Sequence, residues 1–137
     1  MKTTIMGILT MLCSLFGCNA QTEGFKSLTV EEYAKVIEDT SIVHLDVRTA
    51  EEYAEGHIAK TVNIDVLKDD FIEKVQTYVG SLRVEGKSEG VLIAVNCRSG
   101  KRSKKAAELL VKNGFKVIEL DAGFNDWLAK GMPVTKD

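Results

Sequence analysis

The chain has few of the residues that build metal centres. Its 137 residues include only two histidines, His44 and His57, which are far apart and have no ligand spacing around them, so a metal site has little support. The net charge is −2 and the densest group of basic residues is one short segment, 98–105, so nothing indicates binding to nucleic acid. We find no internal repeat and no low-complexity tract. One globular domain with a single core is expected, without a metal or cofactor.

No acidic residue precedes Glu23, and the first apolar run is short. Met1-Lys2 gives a positive start, and residues 5–16 are largely apolar. A membrane-spanning helix needs about 20 apolar residues, so this run fits a secretory signal better. The run ends in Leu15-Phe16-Gly17-Cys18, which resembles a bacterial lipobox. We therefore expect residues 1–18 to be a signal segment, and the protein to be exported and lipid-anchored on the periplasmic side of a bacterial membrane.

Two alternatives to lipidation of Cys18 remain open. One is ordinary signal cleavage after Ala20, and the other is a hydrophobic N-terminal helix that stays attached. Processing at Cys18 would remove Cys13 and leave Cys97 as the sole free thiol, so no internal disulfide could form. A lone thiol in an exported protein indicates a reactive cysteine.

Periodicity predicts strands that alternate with helices. A polar tether is expected over 19–26, a single domain over 27–137, and a polar loop over 80–90. Two capping boxes, Thr29 with Glu32 and Thr49 with Glu52, predict helix starts. The predicted strands are 41–47, 61–64, 91–97 and 116–120, and the predicted helices are 29–38, 49–56, 69–79, 101–113 and 124–129.

This alternation predicts an α/β fold, in which a central parallel sheet has helices on both faces. Sites in such folds form beyond the carboxyl ends of the strands. One predicted strand ends in Asp46-Val47-Arg48 and another in Cys97, so the charged pair is expected near the thiol. Asp46 and Arg48 could equally form a structural ion pair or a cap, and in that role they could still brace the site.

Cys97 follows a strand and precedes a helix rich in cations. Backbone N–H groups and the helix dipole stabilise an anion at that position, which favours a nucleophilic thiolate. Cations in a first helical turn oppose the dipole, at about 0.3–1 kcal/mol each, so their presence makes sense if the loop holds an anion. The alternative is a solvated basic helix start beside an inert buried cysteine. The cations are Lys101, Arg102, Lys104 and Lys105.

Several short motifs stand in order along the chain. They are Leu45-Asp46-Val47-Arg48, Glu52-Tyr53, Gly56-His57-Ile58, Asn63-Ile64, the loop Cys97-Arg98-Ser99-Gly100-Lys101-Arg102-Ser103, Ala106-Ala107, Gly114-Phe115, and Leu120 through Trp127. Together these motifs resemble the rhodanese family. Asn96 stands where that family often has an aromatic residue, and Ala122 replaces the first glycine of a frequent Gly-Gly pair.

The resemblance implies a sulfurtransferase. Cys97 would take sulfur from a small anionic donor such as thiosulfate, carry it as a persulfide, and pass it to a thiol, cyanide or a protein acceptor. Asp46 and Arg48 would support the site, and His57 is expected to be structural rather than a base. Binding of the donor and of the persulfide would fall to Arg98, Ser99, Gly100, Lys101, Arg102 and Ser103.

Two rival functions remain. A cysteine phosphatase or arsenate reductase usually has five residues between Cys and Arg, so that the arginine can grip a tetrahedral oxyanion. Here four residues separate Cys97 from Arg102, and Ser103 is next, which suits a single sulfur atom better. The other rival is a membrane-tethered relay module that docks on a partner, with Cys97 still essential.

Overall fold

The computed structural model describes residues 24–83 and 91–137. Strands and helices alternate through these ranges, and short loops connect most of them. The elements are β1 (Lys26–Leu28), α1 (Val30–Val36), β2 (Val43–Asp46), α2 (Ala50–Glu55), β3 (Val62–Asn63), α3 (Phe71–Arg83), β4 (Leu92–Asn96), α4 (Lys101–Lys112), β5 (Lys116–Leu120) and α5 (Gly123–Ala129).

The strands form one parallel sheet in the order β1-β5-β4-β2-β3. One face packs against α3 and α4 through residues such as Val75 and Leu110. The opposite face packs against α1 and α5 through Tyr33 and Trp127. The predicted α/β fold with helices on both faces is confirmed, because successive strand residues point to opposite faces and both faces are buried here.

Both predicted capping boxes are present. Thr29 accepts a hydrogen bond from the Glu32 N–H, and the Glu32 carboxylate accepts one from the Thr29 N–H. Thr49 and Glu52 repeat this pattern at the start of α2. Each box satisfies backbone N–H groups that have no partner within the helix.

The folded domain begins earlier than the sequence indicated. Phe25 is buried, and β1 pairs with β5 so that Leu28 lies opposite Leu120. The end of the predicted tether, residues 24–26, is therefore part of the fold, and residues 19–23 lie outside the described residues. A three-residue strand has too little alternation to be recognised from sequence.

The helix α3 is longer at its C-terminal end than predicted. The sequence predicts a loop from Gly80 onwards, but α3 continues to Arg83. An interior glycine costs only about 1 kcal/mol, and Leu82, which packs against the core, favours the extra turn. The rest of the predicted loop, residues 84–90, and the predicted signal segment with Cys18 lie outside the described residues. Within 24–83 and 91–137, no helix is long and apolar enough to cross a membrane.

Candidate active site

Cys97 lies between the end of β4 and the start of α4. Its side chain is only 1% exposed, and its sulfur accepts a hydrogen bond from the Gly100 N–H at 3.1 Å. The first N–H groups of α4, which begins at Lys101, have no acceptor within the helix. The loop therefore presents backbone donors to negative charge on the Cys97 sulfur.

Two glycines allow this loop to pack closely against the start of α5. Gly100 has φ 98° and Gly123 has φ 74°. A Cβ at Gly100 would overlap the carbonyl oxygen of Asp121, and one at Gly123 would overlap the carbonyl of Arg98. Ala122 has an ordinary φ of −99°, so alanine fits there.

The start of α5 also holds the loop by hydrogen bonds. The Phe124 N–H donates to the Cys97 carbonyl at 2.7 Å, and the Asn125 N–H donates to the Arg98 carbonyl at 2.9 Å. Asn96, although adjacent to Cys97, lies in a strand whose residues alternate between faces and points away from the face on which Cys97 packs. The departure from the family pattern at Asn96 therefore falls on the sheet face opposite to that of the Cys97 side chain.

Asp46 and Arg48 form an ion pair that is removed from solvent. The Arg48 Nη2 is 2.7 Å from Asp46 Oδ2, and Nε is 2.9 Å from Oδ1. Nη2 also donates to the Gly56 carbonyl at 2.8 Å, and the guanidinium lies 4.2 Å above the ring of Phe124. The pair does not touch the Cys97 sulfur. It supports the phenylalanine whose N–H holds the Cys97 carbonyl.

Two of the cations expected at the loop are paired with Glu52. Arg102 donates to both carboxylate oxygens, at 2.7 and 2.9 Å, and Arg98 donates to Oε2 at 2.7 Å. Hydrogen bonds from Arg102 and then Arg98 hold the pKa of Glu52 well below its usual range, and the Glu52 contact raises the pKa of Arg102. Sequence reasoning missed this partner because its only local signal, the capping box, indicated a structural role.

The remaining cations differ from one another. Lys104 pairs with Asp121 Oδ1 at 2.9 Å and with Glu119 Oε2 at 3.0 Å. Burial alone would lower the pKa of Lys104, but its contacts with Asp121 and Glu119 outweigh burial and raise it. Lys101 and Lys105 are exposed, and their side chains make no hydrogen bond or ion pair within the described part of the chain.

Ser103 is buried beneath the Cys97 sulfur and does not lie at the mouth of the loop, by which we mean the solvent-exposed side of residues 97–103. Ser99, in contrast, is exposed. The Ser103 Oγ is 3.6 Å from the Cys97 sulfur, 2.5 Å from Glu119 Oε1 and 3.2 Å from the Gly100 carbonyl oxygen. Sequence reasoning also missed Glu119. Its one signal is a carboxylate within an otherwise apolar strand centre.

Neither histidine reaches the sulfur. The ring of His57 stacks on Tyr53 with centroids 3.6 Å apart, and its Nδ1 bonds the Tyr53 carbonyl. Nε2 of His44 is 2.7 Å from the Tyr33 hydroxyl. Burial lowers the pKa of His44 to about 4, although Asp46 acts in the opposite direction. The position of His57 agrees with the structural role predicted for it.

Comparisons with known proteins identify the same domain. A family model described as the rhodanese-like domain matches residues 29–130. The chain is 32% identical over 100 residues to thiosulfate sulfurtransferase 16 of Arabidopsis thaliana, covering 66% of this chain and 77% of that protein. It is 38% identical over 97 residues to the putative sulfur carrier protein YrkF of Bacillus subtilis, covering 70% of this chain and 46% of that protein. The chain thus spans about half the length of YrkF.

A solved structure agrees with these sequence matches. The rhodanese-related protein from Thermoplasma volcanium superposes with a TM-score of 0.61 at 25% identity, covering 82% of this chain and all of that one.

Proposed function

The chain belongs to the rhodanese-like domain family, and from this premise we propose that it transfers sulfane sulfur through a persulfide on Cys97. Named sulfurtransferases among its relatives support an enzyme of the sulfurtransferase type. The donor is thiosulfate or a persulfide, and the acceptor is a thiol or cyanide. The proposal rests chiefly on the 3.1 Å hydrogen bond from the Gly100 N–H to the Cys97 sulfur, because that donor stabilises the thiolate before attack and the sulfur anion afterwards.

The cycle has two displacements. The Cys97 thiolate attacks the outer sulfur of thiosulfate, a new S–S bond forms, and sulfite leaves with the electron pair of the old one. The product is a Cys97 persulfide anion, which the N–H groups at the start of α4 can hold. Cyanide or an acceptor thiolate then attacks the outer sulfur of the persulfide, and the bond between the two sulfurs breaks. The acceptor leaves as thiocyanate or as a new persulfide, and Cys97 is again a thiolate.

The charges at the mouth of the loop support an anionic donor. Lys101 is exposed and can attract a dianion directly. Arg98 and Arg102 already bind a carboxylate, that of Glu52. An arriving anion could exchange with this carboxylate, and the arginines would then offset charge on departing sulfite.

The loop argues against the phosphatase alternative. Ser103 occupies the position where such loops carry their arginine, and its hydroxyl is turned towards Glu119 rather than the mouth. The planar fork that grips a tetrahedral oxyanion is therefore absent from that position. Release of phosphate from model esters without any sulfur transfer would reverse this conclusion.

Intact mass before and after treatment with thiosulfate tests the proposal. The protein should gain about 32 Da, one sulfur atom, and cyanide should remove it. Cys97→Ser is nearly isosteric and should keep the fold while abolishing both the gain and turnover. Transfer by Cys97→Ser near the wild-type rate would exclude Cys97 as the carrier.

The relay alternative draws support from the relative named a putative sulfur carrier protein. Comparing turnover with thiosulfate and with a protein-bound persulfide separates the two roles. A slow reaction with thiosulfate and a fast one with the protein-bound donor would favour a sulfur-relay module. Fast turnover with thiosulfate and cyanide favours a free-standing sulfurtransferase.

We also propose that the protein is exported and lipid-anchored through Cys18. The support is the sequence Leu15-Phe16-Gly17-Cys18 after a positive start and an apolar run. Expression in a bacterial host should give a membrane-bound form whose N-terminal residue is a lipidated Cys18. Cys18→Ala should abolish the lipid mass, and an unmodified N-terminus after Ala20 would indicate ordinary signal cleavage instead.

A further inference from the structure

We propose, resting on the sulfurtransferase function above, that Ser103 and Glu119 form a buried relay that accepts the thiol proton of Cys97. Glu119 does not reach the reacting sulfur and acts through the Ser103 hydroxyl, so it is a positioning residue. The relay would supply the thiolate that the first displacement needs, within a site that has no histidine against the sulfur.

Three side chains lie in sequence from the sulfur into the core. The Cys97 sulfur is 3.6 Å from Ser103 Oγ, which is 2.5 Å from Glu119 Oε1. All three are removed from solvent, at 1%, 0% and 0% exposure. Because water does not reach Ser103 or Glu119, a proton leaving the thiol in this direction can go only to the carboxylate.

Along the three side chains, each S–H or O–H donor has an acceptor both before and after the proton moves. Initially the thiol donates to the Ser103 oxygen, and the Ser103 hydroxyl donates to the ionised Glu119. Afterwards the Glu119 acid donates to the Ser103 oxygen, and the Ser103 hydroxyl donates to the Cys97 thiolate. One S–H bond breaks, one O–H bond forms on Glu119, and the negative charge moves from carboxylate to sulfur. No oxidant or reductant is needed.

The surrounding charges accommodate both states. The Gly100 N–H takes up the charge that appears on sulfur. Lys104 faces Glu119 Oε2 at 3.0 Å but also pairs with Asp121 at 2.9 Å, so it keeps a counter-ion when Glu119 becomes neutral. Arg102 on α4 is already balanced by Glu52.

A thiol alkylation experiment tests the relay without any sulfur donor. The full chain would carry Cys13→Ser and Cys18→Ser, which leaves Cys97 as its only thiol. The rate of reaction with iodoacetamide, a neutral reagent, would be followed by intact mass from about pH 5 to about pH 9. Glu119→Gln and Ser103→Ala would be compared in this background. Asp121→Asn is the matched control, because it removes the other carboxylate on Lys104 without touching Ser103.

The proton relay predicts that Glu119→Gln slows alkylation about tenfold or more below neutral pH. At alkaline pH the solvent removes the thiol proton, so the rates of the variant and the parent should become equal. An unfolded variant would expose the thiol, which is 1% exposed in the folded protein, and would react faster than the parent. Equal rates at alkaline pH would therefore also show that the variant is folded. Ser103→Ala should give the same profile, the double variant should be no slower than either single one, and Asp121→Asn should match the parent.

Equal or faster alkylation of Glu119→Gln at every pH would overturn the relay. Removing a nearby carboxylate by itself favours a thiolate, so a purely structural tie between α4 and β5 predicts this opposite sign. Because alkylation needs no sulfur donor, its outcome is independent of whether thiosulfate forms the persulfide.

Discussion

Two arginine–carboxylate clusters lie at the same end of the sheet and differ mainly in burial. The buried pair, Asp46 and Arg48, is 0% and 1% exposed at its side chains. The mouth cluster, Glu52 with Arg98 and Arg102, is 20% to 38% exposed. Both use short, charge-assisted hydrogen bonds. Burial makes the first a fixed part of the fold, whereas access to solvent would let the second exchange partners with an anion, as proposed above.

The largest expected difference is in stability. Arg48→Ala leaves the Asp46 carboxylate buried without its counter-ion and should lower the free energy of unfolding by about 3–5 kcal/mol. Glu52→Gln, which keeps hydrogen-bonding capacity at the capping box, should cost less than about 1 kcal/mol. Urea unfolding of both variants measures the contrast. Similar losses in the two variants would show that burial does not separate the clusters.

A second prediction concerns pH and His44, which neighbours the buried pair. Its folded pKa is lowered to about 4 from 6.5 because burial outweighs the attraction of Asp46. The stabilisation is complete above the unfolded pKa, near 6.5. As the pH falls from 6.5 towards 4, the unfolded chain binds a proton that the folded protein excludes. Stability should therefore fall by at most about 1.4 kcal/mol per pH unit.

Urea unfolding at several pH values checks the His44 contribution. His44→Gln cannot bind that proton, so its stability should depend less steeply on pH across the same window, whatever its absolute stability. Parallel curves for the variant and the parent would exclude His44 as the source.

The smallest expected effect is at the mouth cluster. Glu52→Gln frees Arg98 and Arg102 from a competing carboxylate, so the KM for thiosulfate should fall by up to about fivefold with little change in kcat. Salt should shrink the difference because these groups are partly exposed. Steady-state kinetics at low and high salt provide the test. A higher KM would mean instead that Glu52 holds the two arginines in their binding position.

The sequence predicted the features that depend on local pattern. The capping boxes at Thr29 and Thr49, the strand 116–120 and the thiol at the start of a helix each have a signal within a few residues. The sequence pattern did not predict two features of the fold. The strand β1 is stabilised by pairing with β5 and has almost no local signature, and Gly80 reads as a helix stop although α3 continues past it.

The partners of the candidate site were less predictable. A row of cations was visible in the sequence, but Glu52 lies 46 residues before Arg98 and 50 before Arg102. Glu119 lies 16 residues from Ser103, in a strand that reads as ordinary core. Such contacts depend on which strand neighbours which and on which face each side chain points to, and the sequence pattern does not specify either.

The sequence by itself determined the alternating α/β order, the helix starts and the position of Cys97 between a strand and a helix, because hydrophobic period and capping chemistry act over short distances. Only the tertiary structure decided the rest. It gave Arg98 and Arg102 a shared carboxylate, left Lys101 exposed, and placed Ser103 and Glu119 beneath the sulfur. Charges far apart in the chain meet only where the parallel strands end together, and the burial of each one then decides whether it stabilises the fold or stays available for chemistry.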